Sequence, residues 1–374
     1  MKKIYFDHAA TTAIDARVIQ EMVCVMESDF GNPSSSHAFG RQAKNKLELA
    51  RKTIATTLHA NASEIVFTSG GTEGNNWVLQ AAVRDLGIKR IISSKIEHHA
   101  VLHVLENINQ TQNIQLDFVK LQDDSSIDFT DLTRLLAQNI PTLVSLMHVN
   151  NEIGTILDLA KTSKICQQYQ AYFHSDMVQS IGKLPVNFSE IPIDFAVASA
   201  HKFQGPKGVG FVYVKKGISL QPLLYGGEQE KGWRPGTEAV PSIVGMAKAI
   251  SIVYAELDQH TAAIQALKHY ACEQFHSRIP SCKINGSSSS IHTLLNIQLP
   301  SLQKQQDMLL FELDLKGIAV SRGSACQSGS PKPSHVLAEI LSAEEQKYPS
   351  IRVSFSHTNT KAEVDYLISV LLEQ

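Results

Sequence analysis

Between residues 40 and 215, short apolar runs alternate with segments whose apolar positions recur every three or four residues. The runs lie at 64–69, 90–93, 143–149, 171–175, 195–199 and 210–214, and several lead into polar or glycine-bearing turns. Strands separated by helical periodicity predict a mostly parallel sheet with helices on both faces. A long helix follows, with Ile243, Ala247, Ile250, Val253, Tyr254 and Leu257 on one face. Beyond Gly286 and the serines at 287–290 the period switches repeatedly: strand 293–299, helix 307–315, strand 318–321, helix 334–341, strand 351–355, helix 361–372. The chain reads as α/β, with a large sheet domain and a compact second domain.

Composition narrows the function classes. A chain of 374 residues with 43% hydrophobic and 19% charged residues is an ordinary globular protein large enough for two domains. Lys and Arg number 34 against 36 Asp and Glu, a formal charge of −2, so nothing electrostatic argues for nucleic acid or an anionic membrane as partner. No apolar run approaches the roughly 18 residues of a spanning helix, and the first residues lack a signal-peptide core, so a cytoplasmic location is expected. The five cysteines, at 24, 166, 272, 282 and 326, include no CxxC pair; reduced thiols and no thiolate metal site are expected. Cys24, Cys166 and Cys272 fall on apolar helix patterns and are expected to be buried. Cys326 sits among small polar residues at 321–330, where an exposed loop suits a nucleophile that travels.

In open α/β sheets ligands bind beyond the carboxyl ends of the strands, so chemistry is sought there. Phe67 to Glu73 run from a strand through Gly70-Gly71 into a helix, which reads either as a phosphate cradle built on free N–H groups or as a tight turn capping a helix. Asp176 and Gln179 follow another strand; Asp176 is either a helix N-cap or the carboxylate that faces a protonated ring nitrogen. Ser199, His201 and Lys202 end a third strand ahead of a Gly-Pro loop, and a lysine there beside a second strand-end carboxylate is the set an internal Schiff base requires. His98 and His99 could stack on an aromatic ring or be structural. Asn150-Asn151 could be a turn, and Arg352 either a surface charge or a fork for a carboxylate.

Together these residues resemble the NifS/IscS-type cysteine desulfurases, pyridoxal-phosphate enzymes of aminotransferase class V. The resemblance spans nearly the whole chain: Tyr5 to Thr12, Gly31 to Ser35 with His37, Thr68 to Glu73 with Asn76, Glu97 to Val101, Met147 to Thr155, Asp176 with Gln179, Ser199 to Lys202, Gly226-Gly227 with Arg234 to Thr237, Gly323 to Cys326, and Ile351-Arg352. It implies fold-type I, with a seven-stranded, mostly parallel sheet in a large domain at 14–257, and a small α+β domain made of 1–13 and 258–374. It implies pyridoxal 5'-phosphate held by Lys202 through a Schiff base, with Asp176 on the pyridinium, Gln179 on the phenolic oxygen and His98 over the ring. Gly71, Thr72, Ser199 and His201 would hold the phosphate, with Thr237 from the second subunit of a homodimer. Asn151 would lie near cofactor and substrate, Arg352 would take the substrate carboxylate, and Cys326 would accept sulfur from L-cysteine as a persulfide. His98 or the substrate amine would assist formation of the Cys326 thiolate. The implied products are L-alanine and sulfur passed to an acceptor protein in iron–sulfur cluster assembly or tRNA thiolation. Selenocysteine lyase, class V aminotransferase and a non-catalytic sulfur-carrier scaffold are the alternatives. Arg322, Pro235 and Ser354 to His357 depart from the family pattern without removing a catalytic atom.

Overall fold

A computed structural model describes residues 3–302, 306–323 and 334–373, so Cys326 lies outside the described residues. In the first part of the chain come β1 (Ile4–Tyr5), α1 (Ala16–Ser28), α2 (Ala38–Thr57), β2 (Ile65–Thr68), α3 (Gly71–Asp85), β3 (Arg90–Ser93), α4 (His99–Gln112) and β4 (Gln115–Phe118). Next are α5 (Phe129–Leu136), β5 (Thr142–Ser145), α6 (Leu159–Gln168), β6 (Tyr172–Asp176), β7 (Phe195–Ser199) and β8 (Gly210–Val214). Seven of these strands form one sheet in the order β2-β8-β7-β6-β5-β3-β4. The pairs β3–β4, β3–β5, β5–β6 and β6–β7 are parallel, and β8 runs antiparallel to both its neighbours. Alternate residues of a strand point to opposite faces. Accordingly Ala196 and Ala198 join a core with Ile54, Phe173 and Ile250, while Phe195 and Val197 join another with Trp77 and Leu105.

The remainder comprises α7 (Val240–Ala255), α8 (Leu257–Arg278), β9 (Lys283–Ile284), β10 (Leu294–Gln298), α9 (Gln306–Leu315), β11 (Ile318–Ala319), α10 (His335–Ile340), β12 (Ser350–Ser354) and α11 (Lys361–Leu372). An antiparallel sheet β12-β10-β9 carries a third core with Phe6, Phe275, Ile297, Val353 and Leu367, and β1 pairs in parallel with β11. Among the described residues no single helix is long and apolar enough to cross a membrane.

Several boundaries differ from the sequence reading. The expected helix through residue 257 ends at Ala255, and the chain bends by 69° at Glu256 into α8. The run 143–149 leaves the sheet after Ser145, Val149 bridging to Ile156 instead, and β6 extends to include Asp176. The edge strand β4 is absent from the sequence-derived runs because Gln115 and Asp117 interrupt its apolar pattern. Cys24 is exposed on α1, contrary to expectation, whereas Cys166 and Cys282 are buried and Cys272 is partly so.

Candidate active site

The carboxyl ends of β6 and β7 and the turn before α3 meet at a cavity of about 190 Å³. Its lining includes Gly71, Thr72, His98, Asn151, Asp176, Gln179, Ser199, His201, Lys202 and Arg352, which are, among the described residues, all the site residues implied by the resemblance except Thr237. Register explains the grouping: Asp176 lies opposite Val197 on the parallel neighbour, so both strands end at one edge and release Asp176 and Ser199 to Lys202 side by side. Thr237 is exposed in the loop before α7 and is not brought to the cavity of its own chain. A larger cavity of about 820 Å³, lined by Arg51, Lys215, Glu230 and Trp233 among others, contains none of these residues.

Local geometry gives each group its chemical state. Gly70, with φ of 145°, turns the chain into α3 without a side-chain cap, leaving the first helical N–H groups unclaimed at the cavity wall. A Cβ at Gly71 would meet Val178 Cγ2 at 2.9 Å. The turn is thus the tight entry to a helix, with its N-terminus at the cavity. His98 caps α4, its Nδ1 accepting from the Ala100 N–H at 3.1 Å, so the neutral ring carries its proton on Nε2. Burial pulls the His98 pKa down, and the positive charge of Lys202 adds to that against the opposing pull of Asp176. Lys202 Nζ donates to the carbonyls of Ala9 and Ala10, both at 2.7 Å. Arg352 is buried rather than on the surface; it donates to Asp7 Oδ1 and to the Asn151 carbonyl, each at 2.8 Å, and its Nε is buried without a hydrogen bond. Asn150 forms the expected turn, its Oδ1 accepting from the N–H groups of Glu152 and Ile153, while its Nδ2 donates to the Ile96 carbonyl and ties this turn to the His98 segment.

Four polar neighbours of the cavity residues, Asn75, His174, Ser145 and Lys183, carry no mark in the sequence reading. Asp176 accepts from Val178 N at 3.0 Å and from Asn75 Nδ2 at 2.7 Å. Asn75 Oδ1 then faces His174 Nε2 at 3.1 Å, and His174 Nδ1 faces Ser145 Oγ at 2.9 Å. Because Asn75 spends its amide on Asp176, His174 must donate through Nε2 and accept the Ser145 hydroxyl proton at Nδ1. Every donor in this buried chain points toward the Asp176 carboxylate. Burial drives the His174 pKa to about 3, consistent with the neutral ring the chain needs. On the opposite side Lys183 Nζ donates to Gln179 Oε1 at 2.6 Å, and Gln179 Nε2 donates to the Ala9 carbonyl at 2.9 Å. A flipped amide would oppose two donors and two acceptors, so the Gln179 orientation is fixed. The i, i+4 spacing of Gln179 and Lys183 was the signal that could have revealed this pair; nothing in the spacing of Asn75 could.

A sheet whose strand ends gather an amine, a carboxylate and a helix N-terminus around one cavity is the arrangement of an α/β protein with a small-molecule site beyond its strand ends. The model of the family described as aminotransferase class-V matches residues 4–367, and the chain belongs to that family. Cysteine desulfurase IscS of Dictyoglomus turgidum is 40% identical over 99% of this chain and 94% of its own length. A solved NifS-like protein is 33% identical with a TM-score of 0.91, covering 100% of this chain and 99% of that one. The solved SspA in complex with cysteine is 30% identical with a TM-score of 0.80, covering 96% and 100% of the two chains.

Proposed function

We propose that the protein is a pyridoxal-phosphate-dependent cysteine desulfurase that moves the sulfur of L-cysteine to Cys326 and releases L-alanine. The observation that carries this reading is the convergence of Lys202, Asp176, Gln179, His98 and Arg352 on one cavity. The donor set fits the cofactor: a primary amine for its aldehyde at Lys202, a carboxylate for its ring nitrogen at Asp176, and Gln179 Nε2 as a fixed donor for its phenolic oxygen. Gly71, Thr72, Ser199 and His201 supply backbone and side-chain donors for its phosphate, with Thr237 of a second copy completing the set in a homodimer. When bound, pyridoxal phosphate supplies an electron sink for the pair released at the substrate Cα.

The chain's own residues do the rest. Asp176, oriented by the donors of Asn75 and Val178, would present its carboxylate to the ring nitrogen. Arg352, anchored by Asp7 and Asn151, has further N–H groups for the substrate carboxylate. His98 exchanges protons only at Nε2. The transfer breaks the substrate Cβ–S bond and forms an S–S bond at the Cys326 thiolate; Cβ is reduced to a methyl group while the two sulfurs share the oxidation, so cysteine plus thiol gives alanine plus persulfide with no outside oxidant. An acceptor protein then takes the terminal sulfur.

The test is to incubate native protein, Cys326→Ala and Lys202→Ala with cysteine and measure sulfide in the presence of dithiothreitol, alanine, and the visible cofactor band. Native protein is expected to release both products without a keto acid. Lys202→Ala should lose turnover, and Cys326→Ala should lose sulfide while still binding cofactor. Equal sulfide release by Cys326→Ala would remove that residue from the reaction.

A further inference from the structure

Glu152 is fully buried, yet it belongs to none of the groups that face the cofactor. Its carboxylate touches the two residues that bracket 324–333, the segment containing Cys326. On one side Ser334 Oγ donates to Glu152 Oε2 and accepts from the Leu337 N–H at 3.1 Å, so the one hydroxyl proton has a single direction. On the other side Gly323 lies against the same carboxylate: a Cβ there would stand 3.0 Å from Glu152 Cδ and closer still to Oε2. Only glycine fits. Glu152 Oε1 is buried with no hydrogen bond.

Each bracket is also tied to the cavity. Two residues before Gly323, Ser321 exchanges backbone hydrogen bonds with Arg352 at 3.2 and 2.7 Å. One residue beyond Ser334, His335 Nε2 donates to the Glu97 carbonyl at 2.8 Å, and Val336 and Leu337 pack on Ile96 and Ile153. Glu152 itself is held by its own turn, its N–H bound to Asn150 Oδ1 and its carbonyl accepting from Asn296 Nδ2 at 3.0 Å. One rigid carboxylate thus fixes where residue 323 leaves and where residue 334 returns.

We propose that Glu152 is a positioning residue for sulfur transfer: it holds Gly323 and Ser334, the residues that flank 324–333, and so sets the reach of the Cys326 thiolate toward the substrate sulfur. This rests on the reading of Cys326 as the sulfur acceptor. The geometry predicts a size exchange, because adding a methyl at 323 is tolerated only if the carboxylate withdraws.

The experiment compares native holoenzyme with Gly323→Ala, Glu152→Asp, Gly323→Ala/Glu152→Asp, Ser334→Ala, Glu152→Ala and Ser334→Ala/Glu152→Ala. It measures sulfide release, KM for cysteine, the visible cofactor band, and the iodoacetamide alkylation rate of Cys326 by peptide mapping, with Cys24 as internal reference. Loss of one contact of this strength corresponds to about a tenfold change. Gly323→Ala is expected to lower kcat about tenfold and to shift Cys326 alkylation, with KM, Cys24 alkylation and the cofactor band unchanged, and Glu152→Asp is expected to restore most of that loss. Ser334→Ala should lower kcat on its own and add nothing in the Glu152→Ala background, which decides the matter if Gly323→Ala does not fold. Native-level turnover in Gly323→Ala and Ser334→Ala, a Gly323→Ala defect that Glu152→Asp leaves in place, or additive effects of Ser334→Ala and Glu152→Ala would each overturn the proposal. Its failure is separable from that of the parent reading, which falls only if Cys326→Ala itself turns over cysteine.

Discussion

Glu230 adopts a conformation that L-residues avoid, with φ of 49° and ψ of 37°, and Lys231 follows at 59° and 33°. Left-handed backbone costs about 1–2 kcal/mol per residue, so something must hold it. The holder is a buried fork: Arg51 Nη1 and Nη2 reach Glu230 Oε2 and Oε1, both at 2.7 Å, while the Phe67 N–H donates to Oε2 at 2.9 Å. This staples the loop carrying Arg234 and Thr237 to the start of β2, and Arg234 adds a bond to Glu73 in the first turn of α3. Removing Glu230 strips the buried Arg51 of its two-pronged partner and leaves it the exposed Glu48 and the Ile65 carbonyl. Glu230→Ala should therefore destabilise the protein by about 1.5–3 kcal/mol in denaturant titrations, the worth of a hydrogen bond to a charged group, while charge-neutral Glu230→Gln costs less but still loosens Thr237. A loss under about 1 kcal/mol for Glu230→Ala would mean that the strained loop needs no ionic support.

At the scale of elements, α3, β5 and β6 are joined by the directional chain from Ser145 through His174 and Asn75 to Asp176. Asn75→Leu keeps the volume near Trp77 but strands Asp176 Oδ2 and His174 Nε2, so a stability loss of about 2–5 kcal/mol is expected, since each orphaned buried group costs about 1–3 kcal/mol. Asn75→Asp should weaken cofactor binding more than Asn75→Leu does, because it sets a second acceptor carboxylate where Asp176 Oδ2 has its donor at 2.7 Å, and the repulsion displaces Asp176 from the ring nitrogen. Equal cofactor dissociation constants for the two variants would contradict that role. The contrast between this hydrogen-bonded chain and the strand-end residues of the cavity explains what the sequence made legible. Asp176 and Lys202 stand immediately beyond apolar runs, where topology alone marks them. Asn75 sits inside α3 and bonds across 101 residues to Asp176, and Glu152 meets Ser334 across 182, contacts that no local period encodes. Of the strands, β7 was readable because it is buried throughout and apolar up to Ser199, and β5 because Leu143 and Val144 continue into the apolar residues 146 and 147; β4, at the sheet edge, has partly exposed residues and loses that mark.

Across the whole molecule, burial leaves an unusual share of histidines neutral. His174 is pushed down to about 3, and His8, His148, His201 and His292 to about 4. His8, His201 and His292 also feel the positive charge of Lys183, which burial, Lys202 and Arg352 in turn push down to about 7. In the unfolded chain each histidine titrates near 6.5. Below about pH 6.5 the unfolded state therefore binds protons that the folded state refuses, and stability must fall with falling pH until the folded groups themselves titrate near 4 and 3. Above pH 6.5 this contribution is fully present and flat. The apo protein should accordingly show a falling melting temperature from pH 6.5 to 4.5. His174→Gln, whose amide keeps a donor for Asn75, should flatten that slope by up to about 1.4 kcal/mol per pH unit, the value of one proton. If His174→Gln left the slope unchanged, the ring would already be charged in the native protein, and Nδ1 could not accept the Ser145 hydroxyl proton as the donor order requires.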